Sequence, residues 1–444
     1  RFVLPMFVSV MFQQLYNIAD SSIAGRFAGE DALAAVGASY PITVIFMAFA
    51  VGSNLGASVV VSRLFGARDI GKMKSAVYTA FIACGIMSLI LTALGYVYCG
   101  SMMRLIHTPS NIFGDGELYL KIYVFGLTFL FLYNVCTGIF TALGDSRTPL
   151  YFLILASLLN VVLDLVFILS FSWGVAGAAY ATVISQAVSA VLCFLYMRRK
   201  LPILAASRDE RRPDLRIMGR LLYMGLPMAL QFSITAVGTI LIQAAVNGLG
   251  TTYVTAVTAA SKVSMFVCCP FDAMGSTMAT YGGQNVGAAK WERLHQGLRA
   301  CVILGAIYSV VSLGALYLLA DPLNMLFLDA ESAALLPLAR QYLMTSVLFF
   351  FPLSLVNIIR FLIQGMGFSP LATLAGVLEM AARGGLSCLV PVFGYTAACF
   401  ASPAAWVLAD LFLVPGYFYC YRKLTHPEKR RSLSLGCRKQ RAST

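Results

Sequence analysis

Charge is scarce in this chain. Only 11% of its 444 residues are Asp, Glu, Lys or Arg, where soluble domains carry about 25%, and that excludes a water-soluble globular protein. Histidine is nearly missing: His107, His295 and His426 are the only three, and all fall in expected loops or the tail. There is no His-Glu-x-x-His, no phosphate-binding Gly-rich loop, no nucleophile elbow and no His-rich cluster, so neither ATP hydrolysis nor metalloproteolysis has support. The eleven cysteines are scattered. Cys268-Cys269 is their only adjacent pair and no C-x-x-C set exists, so they read as small apolar packing residues. Alternating segments of about ten residues, the mark of a transmembrane barrel, are absent too.

Long apolar runs are what the chain has instead. It is 59% hydrophobic with a mean hydropathy of +0.81. Runs of about 20 residues read as membrane-spanning helices, and twelve are expected: 2–25, 32–60, 75–100, 118–143, 149–171 and 176–197, then 221–247, 253–281, 298–320, 337–363, 371–393 and 397–421. The reading is an all-α integral membrane protein whose main partner is the lipid bilayer. Prolines at 41, 227, 270, 352, 403 and 415 interrupt or begin spans and imply kinks.

The two halves repeat each other about 222 residues apart. Leu4-Pro5 returns as Leu226-Pro227, Gly66-Ala67 as Gly287-Ala288, Gly144-Asp145-Ser146-Arg147-Thr148-Pro149 as the shorter Gly367-Phe368-Ser369-Pro370, and Lys200-Leu201 as Lys423-Leu424. Six spans per half is an even number, so both halves share one orientation. That is the parallel-repeat arrangement of transporters that rock two lobes about a midplane site. The expected units are an N-lobe at 1–197, a basic linker at 198–220, a C-lobe at 221–421 and a basic tail at 422–444. Of 32 Lys and Arg, 25 fall at Arg1, the linker, the tail and the loops on their side; Arg26, Arg104, Lys121 and Arg340 fall opposite. This asymmetry places both termini in the cytoplasm of a plasma (inner) membrane protein. It makes the net charge of +13 a topology signal and not a nucleic-acid signal. The chain enters its first span directly from Arg1, with no cleavable signal; a few preceding residues are expected.

Ionisable groups within spans are expensive and default to function. Gln13, Asn17 and Asp20 share one face of the first span, with Tyr16 one turn before Asp20. Asn134 lies in the fourth span, Asn160 and Asp164 share a face of the fifth, and Thr182 and Gln186 share one of the sixth. Such an oxygen-rich group suits Na⁺, with Asp20, Asn160 and Asp164 as candidate ligands. It suits a proton equally, because close carboxylates in a dry pocket raise one another's affinity for it. The alternative is interhelical hydrogen bonding worth about 0.6 kcal/mol per contact. In the second half, Glu379 and Arg383 at i, i+4 can pair within their helix. Asp272 and Asp410 can meet Lys262 or Arg360, or line a substrate cavity.

Taken in order, these segments resemble the multidrug and toxic compound extrusion (MATE) family. The likeness is carried by Gln14-Leu15-Tyr16-Asn17-Ile18-Ala19-Asp20 with Gly25-Arg26, by Ala32-Leu33-Ala34-Ala35-Val36-Gly37, and by Ser62-Arg63-x-x-Gly66-Ala67. Further parts are Ala142–Pro149 leading to Asn160-x-x-x-Asp164, Gly174-x-x-Gly177-Ala178-Ala179-x-Ala181-Thr182, and Gly283-Gln284-Asn285-x-Gly287-Ala288. The resemblance implies two pseudo-symmetric six-helix bundles around a central cleft, and export of organic, cationic or amphipathic compounds against H⁺ or Na⁺. It maps a cation network onto Asp20, Asn134, Asn160, Asp164 and Thr182, with Tyr119 nearby. The second-half acids that some members carry in spans seven and ten are missing; Gln231 and Arg360 stand out there instead.

The expected activity is therefore alternating-access antiport, with no enzymatic step and no cofactor beyond the coupling ion. A flippase for a lipid-linked oligosaccharide is the alternative, and it would need a cavity ringed by bases for pyrophosphate. A monomer is expected, because one chain supplies both lobes.

Overall fold

The computed structural model describes residues 3–27, 30–106, 108–204, 207, 210, 213–328 and 334–425, and within 17–33 it describes the helical course without side chains. Regular elements among the described residues are all helices. The first half comprises α1 (Val3–Phe27), α2 (Glu30–Gly66), α3 (Ile70–Leu105), α4 (Ser110–Phe125), α5 (Leu127–Ala142), α6 (Arg147–Leu165) and α7 (Gly174–Lys200). The second comprises α8 (Leu215–Asn247), α9 (Thr251–Gly287), α10 (Trp291–Met325), α11 (Leu336–Leu348), α12 (Phe350–Gly365), α13 (Ser369–Phe393) and α14 (Tyr395–Thr425). Nine are long and apolar enough to span a bilayer singly; α4 with α5, bent by 47°, and α11 with α12, bent by 50°, bring the count to 11. The 25-residue α1 completes twelve.

The two bends occupy matching places in the repeat, Gly126 and Phe349. Pro352 lacks the N–H that would join α12 to α11. At Gly126 a side chain would collide with Val183, 2.7 Å away. The fourth span also starts earlier than expected, at Ser110 instead of 118. Asp115 and Glu117 depress its hydropathy, yet Glu117 pairs with Lys121 at 2.8 Å and the helix runs on. Left-handed residues repeat as well: Arg68 (φ 57°) with Ala289 (53°), and Gly144 (93°) with Gly367 (91°). The duplication is therefore written in the backbone, not only in letters.

Each half has its own apolar centre. Phe131, Phe140 and Leu127 are fully buried in the first, and Phe271, Phe350 and Tyr417 in the second. Outward faces are equally apolar: Val310 is 71% exposed and Leu318 75%, which suits hydrocarbon and not water. Of the ten described cysteines, all free, eight are buried, Cys268 is half-buried and Cys388 exposed.

The halves meet where α2 crosses α8 and α9. Small residues let the backbones touch, as helix association in lipid favours. A Cβ on Gly56 would lie 2.7 Å from Gly225 Cα, and α2 likewise abuts α9 at Gly66 with Gln284, at Ser62 with Gly283 and at Arg63 with Gly287. The Gln284 Nε2 donates to the Ala142 carbonyl at 2.8 Å, tying α9 to the end of α5. All these approaches lie in the half of the molecule toward the 198–220 linker. Substituting Gly56→Val should cost about 1–3 kcal/mol by overpacking, read as a lowered apparent melting temperature. An unchanged melting temperature would show that the crossing is slack.

Candidate functional site

Two of the first-half polar residues meet between α6 and α7. Repeated loops set the entry to α6: the Asp145 carboxylate accepts from the Arg147 and Thr148 backbones at 3.0 and 3.1 Å and from the Thr148 hydroxyl at 2.6 Å, capping the helix. About three and four turns into its apolar run, Asn160 (0% exposed) and Asp164 (1%) are buried. Asn160 Nδ2 donates to Thr182 Oγ1 on α7 at 3.4 Å, and the Thr182 hydroxyl donates to the Ala178 carbonyl at 3.0 Å. Gln186 lies half-buried one turn further along α7. Immediately after Asp164 the chain loosens into a π-helical turn, Val166–Ser170. Such turns recur at functional sites because they leave backbone groups outside the regular ladder. Hydropathy reading missed it, since this turn is as apolar as the helix it ends.

The other first-half candidates lie on α5, α4 and α1. Asn134, half-buried on α5, donates to the Leu130 carbonyl of its own helix at 2.9 Å. Tyr119 on α4 stacks on Tyr123, ring centroids 6.3 Å apart, and packs beside Ala35, Ile112 and Val175. Gln13 on α1 is exposed and Tyr16 half-buried. The side chains of Asn17 and Asp20 lie outside the described residues. Their helix, α1, packs along α6 and against α9. Among the described residues no three His, Cys, Asp or Glu side chains converge as a metal centre. A Na⁺ ion would rest on mixed carboxylate, carboxamide and hydroxyl oxygens, the donor set of Asp164, Asn160 and Thr182.

The second half is built differently. Glu379 (2% exposed) on α13 lies between two buried guanidiniums, Arg360 (5%) on α12 and Arg383 (6%) on its own helix. The Arg383 contact is 3.5 Å. Asp410 on α14 is half-buried and close enough to Arg360 for their charges to interact. One turn from Arg360, Gln364 donates from Nε2 to Gln231 Oε1 on α8 at 2.6 Å. The sequence reading overlooked Gln364, although its i, i+4 relation to Arg360 put both on one face. Asp272 on α9 is exposed, one turn from Cys268 and close enough for its charge to act on that thiol. Lys262 is exposed and stands 5.5 Å over the Phe327 ring.

Two repeated bundles with a polar cluster in one of them, traced over the same segments that carried the resemblance, are matched by known proteins. The MatE family model covers residues 5–166 and 227–380, both halves of the repeat. The chain belongs to the MatE family. This MatE chain is 27% identical over 353 residues to the probable multidrug resistance protein YoeA of Bacillus subtilis (strain 168), covering 78% of this chain and 76% of that protein. It is 30% identical over 293 residues to the probable multidrug resistance protein YpnP of the same organism, covering 66% and 65%. In fold it superposes with a TM-score of 0.89 on the outward-facing conformation of a multidrug resistance MATE family transporter of the MOP superfamily, at 22% identity and covering 97% and 96%. MatE members are multi-pass membrane transporters of small molecules, not enzymes, and this chain's apolar helices fit that class.

Proposed function

We propose that this MatE chain is a cation-coupled antiporter, driven by H⁺ or Na⁺, that exports organic cationic or amphipathic compounds by alternating access. The observation that carries the reading is the pair Asn160 and Asp164, buried in a span, joined to Thr182, and followed at once by a π-helical turn. A carboxylate costs several kilocalories per mole in hydrocarbon unless a cation or proton compensates it. Binding and release of that cation therefore change the energy of the α1–α6–α7 packing, and a ligand that distinguishes two packings shifts their populations. Asp272, an exposed carboxylate on α9, would supply a counter-charge for a cationic substrate. The close approaches between halves gather at the linker end, which supports a cleft open at the opposite end. With the linker and tail in the cytoplasm of the plasma membrane, that opening faces outward. Lobes at 1–197 and 221–421 would then rock as units within a monomer. The membrane potential adds about 2.3 kcal/mol per charge per 100 mV.

The flippase alternative needs free bases for a pyrophosphate. Among bases within the spans, Arg360 and Arg383 are instead buried against Glu379, which speaks against carrying a pyrophosphate through the membrane.

The test is ethidium uptake into everted membrane vesicles under an imposed proton or sodium gradient. Accumulation that collapses with one of the two gradients is expected. Accumulation that ignores both and requires ATP would overturn the proposal.

A further inference from the structure

Where the halves close at the linker end lies a hollow of about 380 Å³ that the transport cycle above does not use. Arg68 reaches it from the first half, and Tyr281, Gln284, Asn285, Lys290 and Arg293 from the second; among the described residues no Asp or Glu lines it. The carboxamide N–H groups are already committed. Gln284 donates to the Ala142 carbonyl and Asn285 to the Tyr281 carbonyl, each at 2.8 Å, while the Tyr281 hydroxyl donates to the Arg293 carbonyl at 2.7 Å. The remaining donors are cationic.

Neighbouring acids do not neutralise them. Asp69, next to Arg68, accepts from the Lys72 ammonium at 2.7 Å and from the Lys72 backbone at 3.2 Å, and the Lys72 side-chain hydrogen bond holds its carboxyl below the usual range. Glu292 is exposed and lines no part of the hollow. Close by, Arg63 and Arg220 also stand within reach of each other's charge. Arg68 keeps a left-handed backbone, φ 57°, which non-glycine residues adopt only when their surroundings impose it. Closing the seam thus gathers like charges whose mutual repulsion opposes the closure.

We propose that this hollow binds a phosphate group and, being built from both halves, binds it only while the linker end is closed. Guanidinium forks match phosphate oxygens two at a time, and Lys290 adds a point charge. A ligand held only by the closed state stabilises that state, so phosphate occupancy sets how long the linker end stays shut. The phosphate belongs to a soluble ester or to a phospholipid headgroup; both reach this face. Neither the site nor its test depends on which ion drives transport.

The experiment uses the full chain in maltoside micelles, which carry no phosphate. One arm titrates inorganic phosphate against sodium chloride of equal ionic strength; the other adds phosphatidylglycerol to the micelles. The apparent melting temperature should rise by several degrees in one arm or both, and the responding arm identifies the source. The combined Arg68→Gln, Lys290→Gln and Arg293→Gln variant should lose the rise; Arg68→Gln alone serves if that variant does not fold. Gly287→Val, which keeps every cation but wedges α9 from Arg63, should lose it too. No rise in either arm, or a rise that survives the charge removals, would overturn the site. A rise that survives Gly287→Val would overturn its dependence on closure.

Discussion

Asp164→Asn should yield a folded protein that no longer accumulates substrate against a gradient. Asn has nearly the shape of Asp and keeps a hydrogen-bonding oxygen, so α6 loses charge without losing volume. Asp164 is 1% exposed, and the only ions able to reach it are small. With a carboxamide there, neither H⁺ nor Na⁺ has a charge to neutralise, and the coupling free energy vanishes. Couplings of about 1–3 kcal/mol correspond to roughly 5–150-fold changes, so gradient-driven ethidium accumulation should fall within that range at equal expression. The neighbours should rank below it. Thr182→Val removes a 3.4 Å contact with Asn160 worth about 0.6 kcal/mol as simple glue, and should reduce transport less than threefold. Accumulation by Asp164→Asn at the parent's level would remove the ion site from α6.

Much of this was readable from the letters, for identifiable reasons. Twelve spans follow from apolar length, because hydrocarbon demands an internally satisfied backbone, and the parallel repeat follows from their even number. Face-sharing within one helix was equally legible: Asn160 with Asp164, and Glu379 with Arg383, are four residues apart. What crosses between helices was not. That Arg360 meets Glu379, and that Gln364 meets Gln231 across 133 positions, depends on crossing geometry that hydropathy does not encode. The bend at Gly126 escaped because its span stays apolar through the break, whereas Pro352 marked a kink in the tenth span, which bends at Phe349. The π-helical turn after Asp164 carries no compositional mark at all. For Asp20 and Asn17 the structure adds the position of their helix, alongside α6, and the side chains lie outside the described residues.

The second large effect belongs to stability. Glu379→Gln should destabilise the protein more than any surface substitution, because Glu379 is the carboxylate that both Arg360 and Arg383 touch. Those guanidiniums are 5% and 6% exposed, and an arginine stays charged even when buried. Removing one partner of a buried ion pair costs about 3–5 kcal/mol, and here Arg360 would be left facing Asp410. The apparent melting temperature and the yield of monodisperse protein should both fall sharply. Replacing the whole triad by apolar residues of similar volume, as Arg360→Met with Glu379→Leu and Arg383→Met, together with Asp410→Asn, should recover most of the loss, since no charge of the cluster is then left to desolvate. The pair of variants separates two roles. If the triad only holds α12 to α13, the apolar version will transport as well as the parent. If its charges are read during the cycle, the apolar version will be stable and inactive. Equal stability of Glu379→Gln and the parent would mean that water reaches the two arginines.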